Sequence, residues 1–378
     1  MRLYPGLILG RKWGRLLLLS QPGSVHLQRP EQRRERARRA VLLGLVTYLG
    51  LHVALALAAV WSRWLRDPVY ADKERKWRQL TAGQSVATQR LIFLGTSRVA
   101  NGFAAGEAQR RLQQLTGRPY VVFNWGVPAS GPVTQSLHLR RLLATGQRVD
   151  VLLWEIFPPL LAEVPGGPVE ARFSEPWPWD QSELVLLEHY DFPVAAWQRQ
   201  RRQAWLAPWW TWRFRLLGRL APSWLPHQLR YDWSRGPDPW GWSPIVDTTQ
   251  VAQRRPARIE RARQEYASVL QQWRPAAPAE SCLRELLAWL RPYQTTVILV
   301  WMPEGPTFQT LYPPAARQRI EQWLQQLCER EKVQLIDCRY WMTEDDFVDG
   351  HHLLPEGAIR WTRRLTDTVL HPLLVQDN

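Results

Sequence analysis

The chain of 378 residues carries 49 Lys and Arg against 34 Asp and Glu, a formal charge of +15, with 45% hydrophobic residues, three cysteines and 23 tryptophans. Such a length allows two or three domains, or one large α/β domain with insertions. The composition excludes wholesale disorder and a small disulfide-stapled module. The basic excess is concentrated in residues 1–40, where ten Lys or Arg face only Glu31 and Glu35. No zinc-finger spacing, RNP string or helix-turn-helix signal accompanies it, so nucleic acid is not the expected partner.

The reason for that charge follows at once in the chain. Val41 to Val60 reads VLLGLVTYLGLHVALALAAV, twenty residues without Asp, Glu, Lys or Arg. As a helix rising about 1.5 Å per residue this crosses the roughly 30 Å hydrocarbon layer. The arginines before it and Trp61 and Trp64 after it predict a single span over residues 41–61, with a basic cytoplasmic tail over 1–40 and everything beyond the span outside the cytoplasm. A cleaved signal peptide is the competing reading, but the 40-residue leader and the apolar run are both too long for one. Outside the cytoplasm disulfides are permitted, yet Cys282, Cys328 and Cys338 allow at most one, and small buried hydrophobes are the expected role.

Residues 62–89 are mixed and charged and predict a helical stalk. From there the pattern is β/α. Short apolar runs at 90–95, 120–125, 149–157, 295–302 and 333–338 predict strands, and helical spacing at 104–116, 133–145, 281–291 and 315–332 predicts helices between them. Continuous apolar strands alternating with amphipathic helices imply a mostly parallel sheet covered on both faces. The sheet is expected in two parts, residues 90–159 and 281–378. Residues 160–280 form an insertion with further helices, and eleven of the tryptophans fall between Leu160 and Ile245 without a convincing strand. Those indoles suit a subdomain core, a platform for sugar rings or, around Arg201 to Leu220, a segment lying on anionic lipid.

Ligands of an open parallel sheet sit beyond the carboxyl ends of the strands. Three loops there hold chemistry: Gly95-Thr96-Ser97-Arg98, Asn124-Trp125-Gly126-Val127, and Asp349-Gly350-His351-His352 before the final helix. Singly, a Ser after a strand is a helix cap and an Asn-x-Gly is a turn. Together, an alcohol, backbone donors and an acid with an imidazole share one predicted edge. Neither GxGxxG nor GxxxxGK[ST] follows any strand, and no HExxH is present, so no cofactor and no metal are expected, although Asp349, His351 and His352 lie close in sequence.

In these motifs the chain resembles the SGNH hydrolase superfamily, closest to its bacterial membrane-anchored members, distant cousins of alginate O-acetylation and D-alanine transfer proteins. The string Met302-Pro303-Glu304-Gly305 with Phe308 and Tyr312 resembles the loop after the fourth strand of those members. The resemblance implies a three-layer flavodoxin-like α/β sandwich in which Ser97 is the nucleophile, His352 the base and Asp349 the residue that orients it. His351 stands two residues from Asp349, where the pattern wants three. The Ser97 amide and Gly126 are implied oxyanion donors. Glu155 occupies the place of the usual Asn, leaving Asn124 as a substitute, and Thr96 replaces the usual Asp. Arg98 either binds an anionic group of the substrate or pairs with an acid such as Glu155. The implied activity is acyl transfer or ester hydrolysis through an acyl-serine on an envelope or extracellular polysaccharide, with the bilayer, a polysaccharide acceptor and a multispan acyl donor as partners. The other class is a noncatalytic scaffold for polysaccharide export or modification, supported by the Glu155 departure.

Overall fold

The computed structural model describes residues 30–226, 238–245, 248 and 250–376. The chain divides into two units, Met1–Val53 and Ala54–Asn378. All described residues of the first belong to helix α1 (Pro30–Trp61), where leucines and valines from Val41 to Val53 lie exposed. One described helix, Glu31–Trp61, is long and apolar enough to cross a membrane, with a mean hydropathy of 2.1 over an 18-residue window.

The second unit is an α/β sandwich. In chain order it comprises α2 (Arg63–Arg66), α3 (Pro68–Thr81), β1 (Gln89–Gly95), α4 (Ser97–Gly102), α5 (Ala105–Thr116), β2 (Tyr120–Gly126), α6 (Pro132–Ala144) and β3 (Val151–Glu155). Next come α7 (Gln181–His189), α8 (Val194–Leu206), α9 (Pro208–Leu220), α10 (Val251–Gln271) and α11 (Ala277–Leu290). The chain finishes with β4 (Thr296–Trp301), α12 (Pro306–Gln309), α13 (Pro314–Glu331), β5 (Gln334–Asp337), α14 (Pro355–Leu365) and α15 (His371–Gln376). The five strands pair in parallel in the order β2-β1-β3-β4-β5, the flavodoxin-like arrangement, with β1 central between the two strands whose loops flank the Ser97 turn.

Alternation along each strand explains why these runs are apolar throughout. Ile92, Leu94, Phe123, Trp125, Leu152, Trp154 and Leu299 face α3, α6, α11 and α13. Leu91, Phe93, Val122, Leu153, Ile298 and Val300 face α4, α5 and α14, where Phe103 and Trp361 pack edge to face. A strand buried on both faces has no polar side to show. All three cysteines are free, with Cys282 and Cys338 buried.

The expected stalk over residues 62–89 is a correction. Its helix, α3, is part of the sandwich: Tyr70 and Trp77 are fully buried, with rings 5.8 Å from Trp125 and Phe123 respectively. Asp67 caps it by accepting the Tyr70 amide at 3.1 Å and pairs with Arg141 of α6 at 2.6 Å. The charges that read as solvent-facing are spent instead inside the fold, since the Lys73 ammonium donates to the carbonyls of Asn124 and Gly241.

No named strand lies within the described part of the insertion, as the sequence implied, and two of its pieces seal the sheet. The segment 238–245 runs along the edge of β2: the Asn124 amide donates to Trp240 O at 2.9 Å, and the Ser243 amide to Ala100 O at 2.9 Å. An open edge strand is thereby covered. Gly241, at φ +84°, lies so close that a Cβ would fall 2.4 Å from Asn124 O. Further upstream, the buried Glu170 carboxylate accepts the amides of Gly131, Val133 and Thr134 and so caps α6. Trp179, Trp197 and Trp212 are buried in small cores, whereas Trp205, Trp209, Trp210 and Trp224 are exposed.

Removing a fully buried indole typically costs about 3–5 kcal/mol. Trp77→Ala is therefore expected to lower the thermal unfolding midpoint of the second unit by many degrees. A freely projecting stalk would leave that midpoint unmoved.

Candidate active site

The Ser97 turn is built by close approach. At Gly95, the last residue of β1, a Cβ would meet Val99 Cγ2 at 2.3 Å and Glu155 Oε2 at 2.6 Å. At Gly126 it would meet the Ala100 amide nitrogen at 2.1 Å. Two glycines thus let α4 start directly on top of the sheet. Thr96 caps that helix, its hydroxyl accepting the Arg98 amide at 3.0 Å, and donates its own amide to Glu155 Oε2 at 2.6 Å. The replacement of the expected Asp by Thr therefore keeps a capping oxygen where the turn needs one.

The second half of the site hangs on a tight loop before α14. The Val348 amide donates to His352 O at 2.9 Å, closing the loop, and Gly350 takes φ +87° at its tip. The Gly305 amide, from the loop after β4, donates to Gly350 O at 2.7 Å and ties the two loops together. Within the loop Asp349 Oδ1 accepts the amides of His352 at 2.8 Å and His351 at 3.2 Å.

These two halves meet. Ser97 Oγ lies 2.7 Å from His352 Nε2, and His352 Nδ1 lies 2.8 Å from Asp349 Oδ2. A carboxylate only accepts, so Nδ1 carries the proton and Nε2 is left to accept the Ser97 hydroxyl. Burial pushes the Asp349 carboxyl up, but the adjoining imidazoles of His351 and His352 and its hydrogen bonds outweigh this and hold it far below the usual carboxylate range.

His351 is placed differently. Its ring is buried, stacked on Phe308 at 4.8 Å and edge-on to Tyr266 at 5.6 Å. Its Nδ1 sits 3.3 Å from Asp349 Oδ1 without hydrogen-bond geometry. Burial, partly offset by Asp349, lowers its pKa to about 3, so it is a neutral wall of the site at neutral pH. Asp349, His351 and His352 form one cluster of metal-ligand type, their ligand atoms within 4.8 Å of one another. The hydrogen bonds already made by Asp349 and His352 give that cluster an occupation that needs no ion.

Of the implied oxyanion donors, Asn124 and Gly126 are engaged elsewhere. Asn124 is fully buried; its side-chain amide donates to Val99 O and Phe103 O at 2.7 Å, and its Oδ1 accepts the Gly126 amide at 2.8 Å. Asn124 and Gly126 thus brace α4 against β2 rather than facing a ligand. The amides of Ser97 and Ala129 have no acceptor among the described residues, and both residues line the cavity.

Arg98 likewise takes the structural option. Its side chain is 1% exposed, and one guanidinium nitrogen donates to Met302 O and Pro303 O at 3.0 Å. The other lies 3.5 Å from Glu155 Oε1 and 3.6 Å from Glu304 Oε1. Glu304 also accepts from Trp301 Nε1 at 3.1 Å and Tyr312 OH at 2.9 Å. Burial raises the pKa of both carboxyls, with the Arg98 charge as the main opposing influence. Glu155 is therefore no substitute for a donor; it is a strut beneath the turn.

Ser97 and His352 open into a cavity of about 320 Å³. Phe157, Leu160 and Phe173 form an apolar side, and α10 supplies Arg258, Arg261, Ala262, Glu265 and Tyr266. None of these α10 residues was anticipated from sequence, although their spacing is that of one helical face. Pro128, Ala129 and Phe173 also line a second cavity of about 360 Å³ that extends to Asp67, His138 and Arg215.

No family model matches the chain, and no curated protein matches it. Among solved structures it is similar to the acetylxylan esterase Axe2 from Geobacillus stearothermophilus, at 10% identity and a TM-score of 0.34, covering 73% to 75% of this chain and 93% to 95% of that one across several forms. It is also similar to the esterase AlinE4, at 10% identity and a TM-score of 0.30, covering 67% of this chain and 77% of that one.

Two outcomes test this account. Removing one partner of a buried ionic group typically costs about 3–5 kcal/mol. Arg98→Met is thus expected to destabilise strongly in equilibrium denaturation, and Arg98→Met with Glu155→Gln and Glu304→Gln to recover part of that loss. The second concerns acid. Burial lowers His138 to about 4 as it lowers His351 to about 3, so unfolded imidazoles take up protons near 6.5 that the folded ones refuse. Their contribution to stability is complete above 6.5 and declines as pH falls toward 4 and 3, by up to about 1.4 kcal/mol per pH unit for each group. Between pH 6.5 and 4.5, His138→Gln should show a shallower fall in stability than the unmodified protein; equal slopes would contradict the assignment.

Proposed function

We propose that this chain is a membrane-anchored SGNH-like serine enzyme, an O-acyltransferase or esterase acting on ester-linked acyl groups of an envelope or extracellular polysaccharide. The observation that carries the reading is the Ser97–His352–Asp349 relay, with hydrogen-bond distances of 2.7 and 2.8 Å, at the mouth of a cavity.

In the first half-reaction His352 Nε2 takes the Ser97 proton as Oγ attacks the ester carbonyl. The tetrahedral oxyanion is met by the amides of Ser97 and Ala129. The imidazolium then gives its proton to the departing sugar or donor oxygen as the C–O bond breaks, leaving acyl-Ser97. In the second, a sugar hydroxyl or water loses its proton to Nε2, attacks the acyl carbon, and Ser97 recovers its proton. Asp349 stays ionised throughout, since its proton affinity is far too low for it to take a proton at neutral pH. Its part is to fix the tautomer and stabilise the imidazolium. A water acceptor gives an esterase and a sugar acceptor a transferase, by the same chemistry.

The anchored topology rests on the basic tail, the apolar helix and the exposed Trp61 that follows it. On this reading the N-terminus is cytoplasmic and the residues beyond the 41–61 span lie outside the cytoplasm. The inward turn of Asn124 and the Gly126 amide favours one other reading, a noncatalytic SGNH-fold scaffold, because it shortens the donor set.

A fluorophosphonate probe separates the two. The enzyme reading expects labelling at Ser97, its loss in His352→Ala, and a fall of about 10³- to 10⁴-fold in the labelling rate in Asp349→Asn, where the imidazole is held in the wrong tautomer. Absence of labelling in folded protein would leave the scaffold.

A further inference from the structure

The roof of the cavity carries positive charge that no described residue pairs. Helix α10 is rich in arginine, and two of its arginines directed away from the cavity are paired: Arg255 with Asp345 at 2.8 Å, and Arg263 with Glu260 at 3.3 Å. Arg258 and Arg261 line the cavity, and neither has an ion pair or hydrogen bond among the described residues. Three positions apart on a helix, their side chains are neighbours, an arrangement of like charges that costs stability unless an anion joins them. Glu265 lines the same cavity one turn further on and forms no ion pair with either. Asp349 is committed to its imidazoles, and Arg98 to Glu155 and Glu304. Two unspent guanidinium forks therefore stand in the one cavity that also holds the Ser97 hydroxyl.

We infer that Arg258 and Arg261 bind a carboxylate or phosphate group carried by the acyl acceptor, so that the substrate is an anionic polymer rather than a neutral glycan. The inference rests on the proposed function for the identity of the site and adds to it the chemical class of the acceptor. Guanidinium suits both anions because its planar fork meets two oxygens at once, and such charge-assisted pairs are roughly twice as strong as neutral hydrogen bonds. The apolar side formed by Phe157, Leu160 and Phe173 leaves the opposite part of the cavity for the acyl chain or a sugar face. An acceptor held by its charge on α10 would present its hydroxyls toward Ser97 and His352, which share that cavity.

The test is calorimetric titration of the full chain, carrying Ser97→Ala, in detergent micelles. Three probes are used: an oligouronate, an oligo(glycerol phosphate) and a neutral glucan oligosaccharide of similar length. One anionic probe is expected to bind at least about 10-fold tighter than the neutral one, and less tightly at high salt. Preference for the oligouronate assigns the anion to an acidic sugar, and preference for the glycerol phosphate to a phosphate-bearing polymer. The pair Arg258→Gln and Arg261→Gln is expected to lose about 10-fold or more of that affinity, Arg258→Lys with Arg261→Lys to retain part of it, and Arg263→Gln to keep it all. Equal binding of the neutral probe, an unaffected double Gln variant, or no binding of any probe overturns the inference. Binding does not require turnover, so a chain that binds the anion yet fails to label at Ser97 would sink the catalytic reading and leave this one standing.

Discussion

The Arg98 guanidinium, buried beneath the Ser97 turn, is the constraint on which the site depends. Taking a charge from water costs several kcal/mol, and Arg98 is buried together with the Glu155 and Glu304 carboxyls, whose pKa values burial raises. Their mutual arrangement makes the cost tolerable and also fixes the architecture. Glu155 ends β3, Glu304 and the carbonyls of Met302 and Pro303 follow β4, and Arg98 itself sits one residue past Ser97 at the end of β1. One planar cation therefore indexes the carboxyl ends of three adjacent strands against one another. Glu155 then extends the same network to the Thr96 amide, so the residue before Ser97 is held by the acid that the sequence pattern marked as out of place.

The imidazole half is positioned by different means. The Asp349–His352 loop is short, closed on itself by the Val348 amide, and clipped to the loop after β4 through Gly305. That contact brings the loop before α14 to the strand ends that Arg98 organises, and the separation of 255 positions between Ser97 and His352 is bridged by two local devices instead of one long one. His351 completes the packing. Kept neutral by burial and clamped between Phe308 and Tyr266, it is a flat apolar-like wall that leaves its neighbour as the imidazole within reach of the hydroxyl.

Most of the sandwich could be read from the chain because its signals are local. Apolar runs bounded by turns place all five strands within a few residues, whereas the preference for the second histidine over the first comes from the pattern of the family that the chain resembles. What could not be read depends on partners far away in sequence. Asn124 and Gly126 looked like donors because nothing local says that Val99 and Phe103 will consume the amide of one and that Asn124 will take the N–H of the other. Arg98 was evenly balanced between substrate and salt bridge until its burial was known. The charged residues 62–89 read as a stalk because Lys73 and Lys76 suit solvent; only the placement of Tyr70 and Trp77 shows which face of that helix is inside.

Helix α10 shows why an insertion can belong to a site without resembling one. Its sequence is strongly charged and reads as a solvated surface helix, yet Tyr266 packs on His351 and Arg255 donates to Phe347 O on the approach to the Asp349 loop. The helix is thus at once the roof of the cavity and a buttress for the loop that carries Asp349 and His352. Any change in its position must be felt by His351 and, through the shared hold on Asp349, by His352. A roof packed on His351 in this way ties the position of α10 to the alignment of Ser97 and His352 without contributing a side chain to their hydrogen bonds. On the inference that Arg258 and Arg261 hold an anion, the same helix would both select the charge of the ligand and bear on that alignment.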